Sequence, residues 1–195
     1  GDTGTFMDML GNGLRAYEEG SYGGWGGRQV SNQQEGFSFQ LGDTSAQAMV
    51  NALSNLTGEA NKGANGPDFF PAAQQDFATR LEWSVTPKYS AANHAPVVRI
   101  EGPLGLTAAP GEKIKLNGAV SDPDGDAVSI KWWQFAVGSY PGEVAISKPA
   151  SAQAEVIIPA NAVAGETIHV ILEATDKGAP ALTRYQRLII TVKSR

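Results

Sequence analysis

The sequence predicts an α+β chain in two parts: a mainly helical and loop segment over residues 1–94, then an all-β sandwich over residues 95–195. Three observations carry this. After Val97, short runs rich in β-branched and aromatic residues recur between turn signals. Helical periodicity occurs only earlier in the chain. Between the two lies a short polar join, Lys88-Tyr-Ser-Ala-Ala-Asn-His-Ala-Pro96.

In the front part, Thr3 to Leu14 reads as a helix, with Phe6, Met9 and Leu10 on one face and Gly11-Asn-Gly13 ending it. Then comes Glu18-Glu-Gly-Ser-Tyr22-Gly-Gly-Trp25-Gly-Gly-Arg28, in which four glycines flank one Trp. It reads either as a tight loop pinned by Trp25 or as the lining of a cleft where Tyr22, Trp25 and Arg28 face a sugar or an anion. Ser45 to Ala60 forms a second helix with Ala48, Met49, Ala52, Leu53 and Leu56 on its apolar face. Pro71 to Trp83 forms a third, with Pro71 in its first turn and Phe77 and Leu81 on one side. A unit of this size buries little surface, so it is expected to pack against the sandwich or against a chain segment absent here.

In the back part seven strands are expected: Val97–Glu101, Lys113–Asn117, Ala127–Phe135, Glu143–Ser147, Ala154–Ile158, Thr167–Thr175 and Arg184–Val192. Seven short strands in such a length suit an immunoglobulin-like sandwich. Val128, Ile130 and Trp132 alternate onto one face, which makes Trp132 a core residue. Trp133 and Phe135 then point the other way, either as platforms for sugar rings or as a patch covered by the front part. Tyr140, Tyr185 and His169 are candidates for the same roles, His169 as a surface or interface histidine.

Asp122-Pro-Asp124-Gly-Asp126 places three carboxylates at alternate positions around a Gly turn. Hard cations seek clustered oxygens, so this reads as a calcium loop that Asp176 closes, or else as a plain Asp-Pro turn.

Bulk properties narrow the function. The chain has 195 residues, 42% hydrophobic, 18% charged and no Cys, which fits a globular protein without disulfides. Residues 1–94 carry 5 Lys/Arg against 10 Asp/Glu, and residues 95–195 carry 10 against 10. With no basic stripe, nucleic acid is not an expected partner. No apolar run reaches bilayer length, so no membrane partner is expected either. There is no signal peptide and no initial Met, so the chain reads as a mature, trimmed or cloned fragment. Zinc spacings, a phosphate loop and a nucleophile elbow are missing, and the adjacent Glu18 and Glu19 are poorly placed to act as a glycosidase pair.

Several stretches taken in order carry a resemblance: Gly1-Asp-Thr-Gly-Thr-Phe6, Gly23-Gly-Trp-Gly-Gly-Arg28, Gln74-Gln-Asp-Phe-Ala-Thr-Arg80-Leu-Glu-Trp83, Ala92-Asn-His-Ala-Pro96, Asp122-Pro-Asp-Gly-Asp126, Trp132-Trp-Gln134 and His169-Val-Ile-Leu-Glu-Ala-Thr-Asp176. Together they resemble a bacterial cellulose-binding protein family. Its members join a nucleoside-hydrolase-like domain to an immunoglobulin-like C-terminal domain. The match is weakest over residues 29–65. The resemblance implies that residues 1–94 are the end of an α/β nucleoside-hydrolase-like domain. It implies a parent protein with a further N-terminal segment. Nucleoside hydrolases hold calcium and ribose hydroxyls with aspartates, and Asp2 matches a late member of that set. Gly4 stands where that pattern has proline, and no His precedes Asp2. The resemblance also implies a secreted or periplasmic bacterial protein that meets plant cell-wall polysaccharide, cellulose or xylan.

The leading expectation is a carbohydrate-binding or accessory fragment, not itself an enzyme, with Trp133, Phe135, Tyr140 and Trp25 as its platforms. One alternative is part of a nucleoside-hydrolase-like glycosidic hydrolase completed by the missing segment, with calcium at Asp2. Another is a structural spacer stiffened by calcium at Asp122, Asp124 and Asp126.

Overall fold

The computed structural model describes residues 3–27 and 67–194. The helix expected over Ser45–Ala60 lies outside them, as do Asp2 and Arg28. The chain divides into two units, Gly1–Gln74 and Gln75–Arg195. The division falls earlier than the join read from the sequence at 94/95. Residues 75–94 go with the sandwich because they bond to it: Asp76 pairs with Arg184 at 2.6 Å, and Asn93 bonds Asp176 at 3.2 Å and the Pro180 carbonyl at 2.8 Å.

In the first unit, α1 spans Thr3–Met9 and stops before the expected Leu14. Its end is forced by the glycines that follow: Gly13 has φ 94°, and the Asn12 side chain accepts the Leu14 N–H at 2.9 Å. Phe6 and Met9 are exposed, while Leu14 and Ala16 are buried, so the buried apolar group lies just past the helix. A turn at Gly24–Gly27 closes through paired backbone bonds of 2.9 and 3.1 Å. Gly24 must be glycine, because a Cβ there would stand 2.9 Å from Ala16 Cβ and 3.1 Å from Asp8 Oδ1.

Helix α2 spans Phe70–Val85, with Pro71 in its first turn and Pro87 beyond its end. Within the second unit the side that carries Phe77 and Leu81 is the exposed one, whereas Asp76 and Thr79 are buried. The reason is an ionic one: Asp76 sits between Arg80 and Arg184, each at 2.6 Å, and that pairing sets the rotation of the helix.

The sandwich comprises β1 (Val97–Ile100), β2 (Gly105–Ala108), β3 (Lys113–Ser121), β4 (Val128–Phe135), β5 (Ala145–Ser147), β6 (Gln153–Ile157), β7 (Thr167–Asp176) and β8 (Thr183–Val192). Two four-stranded sheets form, ordered β1-β3-β6-β5 and β2-β8-β7-β4. All seven expected strands are present, and β2 is an addition. It pairs in parallel with β8, Leu106 opposite Ile190, so its partner lies far along the chain. The two inner faces form one core around Trp132, Leu116, Val156, Ile168, Leu172 and Ile190. Each such aliphatic side chain stabilises the fold by about 1.5–3 kcal/mol. Trp132 is in the core as expected, and its indole N–H donates to the Ser151 carbonyl at 2.9 Å. Among the described residues the fold is mainly β, with two α-helices.

Candidate functional site

The outer face of the β4-β7-β8 sheet follows from strand alternation. In register, Trp133 lies opposite Ile171 and Phe135 opposite His169; on the next strand Ile171 lies opposite Arg187 and Glu173 opposite Tyr185. Trp133 and Phe135 do share this face, with ring centroids 5.5 Å apart. It is not an open platform, however. Phe135 is 8% exposed, His169 3%, Tyr185 5% and Arg187 0%. The Arg187 guanidinium lies 5.1 Å from the Phe135 ring and 2.8 Å from His169 Nδ1. His169 is thus a buried residue, not a surface one. Trp133 keeps partial exposure and donates its indole N–H to Glu173 at 2.9 Å. Burial raises the Glu173 carboxyl above its ordinary value, while the Lys131 charge and the Trp133 hydrogen bond pull it back down.

Tyr140 lies in the sandwich core at 8% exposure, and its hydroxyl bonds Asn161 at 3.1 Å. It is therefore removed from the expected set of exposed aromatics. Strand alternation does not extend past Phe135, so the direction of Tyr140 was not legible.

The acidic loop joins β3 to β4. Asp122 Oδ1 accepts the backbone N–H groups of Asp124 and Asp126 at 2.9 and 3.0 Å. Asp124 accepts the His94 N–H at 2.6 Å and contacts its Nδ1 at 3.1 Å. Asp176 accepts from Asn93, and its Oδ1 also takes the N–H groups of Gly178 and Leu182 at 2.9 and 3.0 Å. The carboxylates lie near one another: desolvation first, then the charges of Asp122, Asp176 and Asp124, raise the Asp126 carboxyl. Among the described residues no group of three or more acidic or histidine side chains is placed to hold a metal ion. Asp122 Oδ1 and Asp176 Oδ1 serve turn N–H groups, whereas Asp122 Oδ2 is buried with no hydrogen-bond partner among the described residues.

In the first unit, Tyr22 and Trp25 are half-buried, Trp25 at the tip of the Gly24–Gly27 turn. Asp8 accepts the Gly26 N–H at 2.8 Å. Burial raises the Asp8 carboxyl and that hydrogen bond lowers it. Glu18 forms an ion pair with Arg15 at 2.6 Å, and Glu19 bonds Ser21 at 3.2 Å. The two glutamates thus have separate partners.

A cluster that sequence reasoning missed lies in the second unit. Tyr89 stacks on His94 with centroids 3.5 Å apart and planes 5° apart. His94 in turn stacks on Trp83 at 5.4 Å and 10°. Arg80 lies 5.5 Å from the Trp83 ring. The Trp83 indole N–H donates to the Asn93 carbonyl at 2.9 Å. These residues sit on a helix end and an irregular join, where no period links them; the clustering of aromatics around residue 90 was the only sequence signal.

Two packed four-stranded sheets with an acidic turn define a β-sandwich domain. Residues 113–192 match the family model described as Cellulose-binding protein Sde0182, C-terminal domain. Over 98% of its length the chain matches a nucleoside hydrolase-related hypothetical protein from Saccharophagus degradans that is associated with carbohydrate metabolism, at 33% identity and TM-score 0.77. The chain spans 47% of that protein. The resemblance read from the sequence therefore holds: the chain is similar to that family over its sandwich and to that relative over nearly its whole length. The PKD domain from KIAA 1837 protein matches at 21% identity and TM-score 0.34, covering 47% of this chain and 79% of that one. Domains 4 and 5 of the S-layer protein SbsC match at 14% identity and TM-score 0.34, covering 50% and 53%. No curated protein matches the chain.

Proposed function

We propose that this protein is a non-catalytic carbohydrate-binding module, secreted or periplasmic, that holds cellulose or a related β-glycan such as xylan. The observation that carries this reading is the match of residues 113–192 to the C-terminal domain of a cellulose-binding protein. The relative associated with carbohydrate metabolism supports it. The two sheets and their strand order support an immunoglobulin-like sandwich as the scaffold. A β-glycan is uncharged and offers flat C–H faces edged by hydroxyls. It is held by aromatic planes with a few hydrogen-bonding groups beside them. Of the sheet aromatics named from the sequence, Trp133 is the one with solvent exposure left to contribute.

The test is depletion of the full 195-residue chain from solution by insoluble cellulose and by insoluble xylan. Retention on either supports the reading. A chain left wholly in the supernatant by both removes it and leaves the spacer role.

The relative's nucleoside-hydrolase character favours a second reading, in which the first unit belongs to a nucleoside-hydrolase-like domain of a longer protein with Asp2 in its site. Release of ribose from nucleosides, abolished in Asp2→Ala, would support it. Nucleoside hydrolysis by the longer protein that survives Asp2→Ala would remove this assignment.

A further inference from the structure

The stack of Tyr89, His94 and Trp83 has a geometry that packing alone does not require. His94 is enclosed on both faces, by Tyr89 and by Trp83. Tyr89 closes the stack, and it is 63% exposed although one ring face lies against His94. That exposure must come from its other face and its edge. The protein therefore presents one open aromatic plane backed by two parallel rings.

The plane is also held still. Tyr89 lies in a single 3-10 turn, Tyr89–Ala91, whose Ala91 N–H bonds the Lys88 carbonyl at 3.1 Å. His94 is fixed by Asp124 through its backbone N–H and its ring. Asn93 ties the same segment to β7 and to the β7–β8 loop. A group already ordered loses little freedom when a ligand lands on it. Asp124, which holds His94 behind this plane, keeps 20% side-chain exposure. An open, ordered aromatic plane is the chemistry that one face of a pyranose ring fits, because the π-face attracts the ring's C–H groups.

We infer that the exposed face of Tyr89, backed by His94 and Trp83, is a sugar-stacking subsite for one pyranose ring of a β-glycan chain. This rests on the carbohydrate-binding reading above and gives it a location that the sheet aromatics do not.

The test titrates the full chain with cellohexaose and xylohexaose, following tryptophan emission and the His94 ring proton resonances, beside depletion by insoluble cellulose. The variants are Tyr89→Ala, Tyr89→Phe and, as a control on an exposed aromatic elsewhere, Phe77→Ala. Tyr89→Ala should weaken binding about tenfold, with Tyr89→Phe and Phe77→Ala near the parent. His94 resonances should shift on adding oligosaccharide to the parent chain. Because Tyr89 is mostly exposed, the melting temperature of Tyr89→Ala should stay close to the parent's and show that the loss is one of binding. If the parent binds glycan while Tyr89→Ala binds equally well and His94 does not shift, the subsite is wrong and the binding reading stands. If the parent binds no glycan, both fall. If Tyr89→Ala loses only stability, the stack is a structural pin and the subsite is wrong.

Discussion

Gly118 shows how closely single atoms are fitted in this sandwich. A Cβ on it would stand 2.8 Å from Leu172 Cδ2 and 3.2 Å from the Trp132 ring, both in the core. Gly118→Ala should therefore cost about 1–3 kcal/mol through overpacking, seen as a lower midpoint in urea with an unchanged slope. An unshifted midpoint would show that Leu172 has room to turn aside. Glu173 gives a prediction of pH dependence. Its carboxyl is raised by burial, so the protonated form is the favoured one in the fold. That stabilisation is complete below the unfolded value and is lost as pH rises through the higher folded value. Glu173→Gln fixes the neutral state and keeps an acceptor for Trp133. From about pH 4 to about pH 8 the variant's Tm should rise relative to the parent's. A constant difference across that range would mean that Lys131 fully compensates the carboxylate. At this scale side-chain direction was legible, because alternation alone puts Trp132 inward and Trp133 and Phe135 outward. Exposure was not legible: Phe135 is outward yet buried, since cover over a sheet face comes from residues distant in sequence.

At the scale of elements, α2 is the case where pattern and packing disagree. Its apolar residues Phe77 and Leu81 lie on the exposed side, while the Asp76 carboxylate faces Arg184 on β8 and is 1% exposed. A charge so buried is held by its partners, and removing it takes the ion-pair partner from both Arg80 and Arg184, the latter 14% exposed. Asp76→Ala should cost about 3–5 kcal/mol, while Phe77→Ala should change stability by no more than about 0.5 kcal/mol. Equal effects of the two, measured by chemical unfolding, would mean that the apolar side carries the helix after all. Sequence periodicity ranks residues by hydrophobicity and does not see a salt bridge to a residue more than a hundred positions away. The acidic loop is a second case. The spacing of Asp122, Asp124 and Asp126 fits both a metal loop and a turn, and in the fold Asp122 and Asp176 bind backbone N–H groups. Any ion bound only by the folded chain must raise its stability. Asp122 Oδ2 is buried without a hydrogen-bond partner, so an ion taken there should raise Tm in millimolar calcium above that in chelator; equal values would mark the loop as a plain turn.

At the scale of the whole molecule, the sandwich was the legible part, because strands buried on one side repeat a short period and announce their turns. β2 escaped because Gly105-Leu-Thr-Ala108 is brief, lies between two prolines, and gains its partner only when β8 is placed. The aromatic stack escaped for a related reason: Trp83, Tyr89 and His94 come together through a helix end and a join, not through a repeat. The charge of the molecule bears on its ligand. The net charge is -5, all of it from residues 1–94, while residues 95–195 balance. An uncharged glycan held by an aromatic plane gains nothing from that charge, so its binding should be indifferent to screening. Retention on cellulose should stay constant as salt rises from about 0.05 to about 0.5 M, across which the Debye length shrinks severalfold. Retention that falls with salt would point instead to ionic attraction between basic side chains of the chain and acidic groups on the matrix. In that case xylan bearing uronic acids, and not cellulose, would hold the protein more firmly, and Lys or Arg substitutions would matter more than Tyr89→Ala.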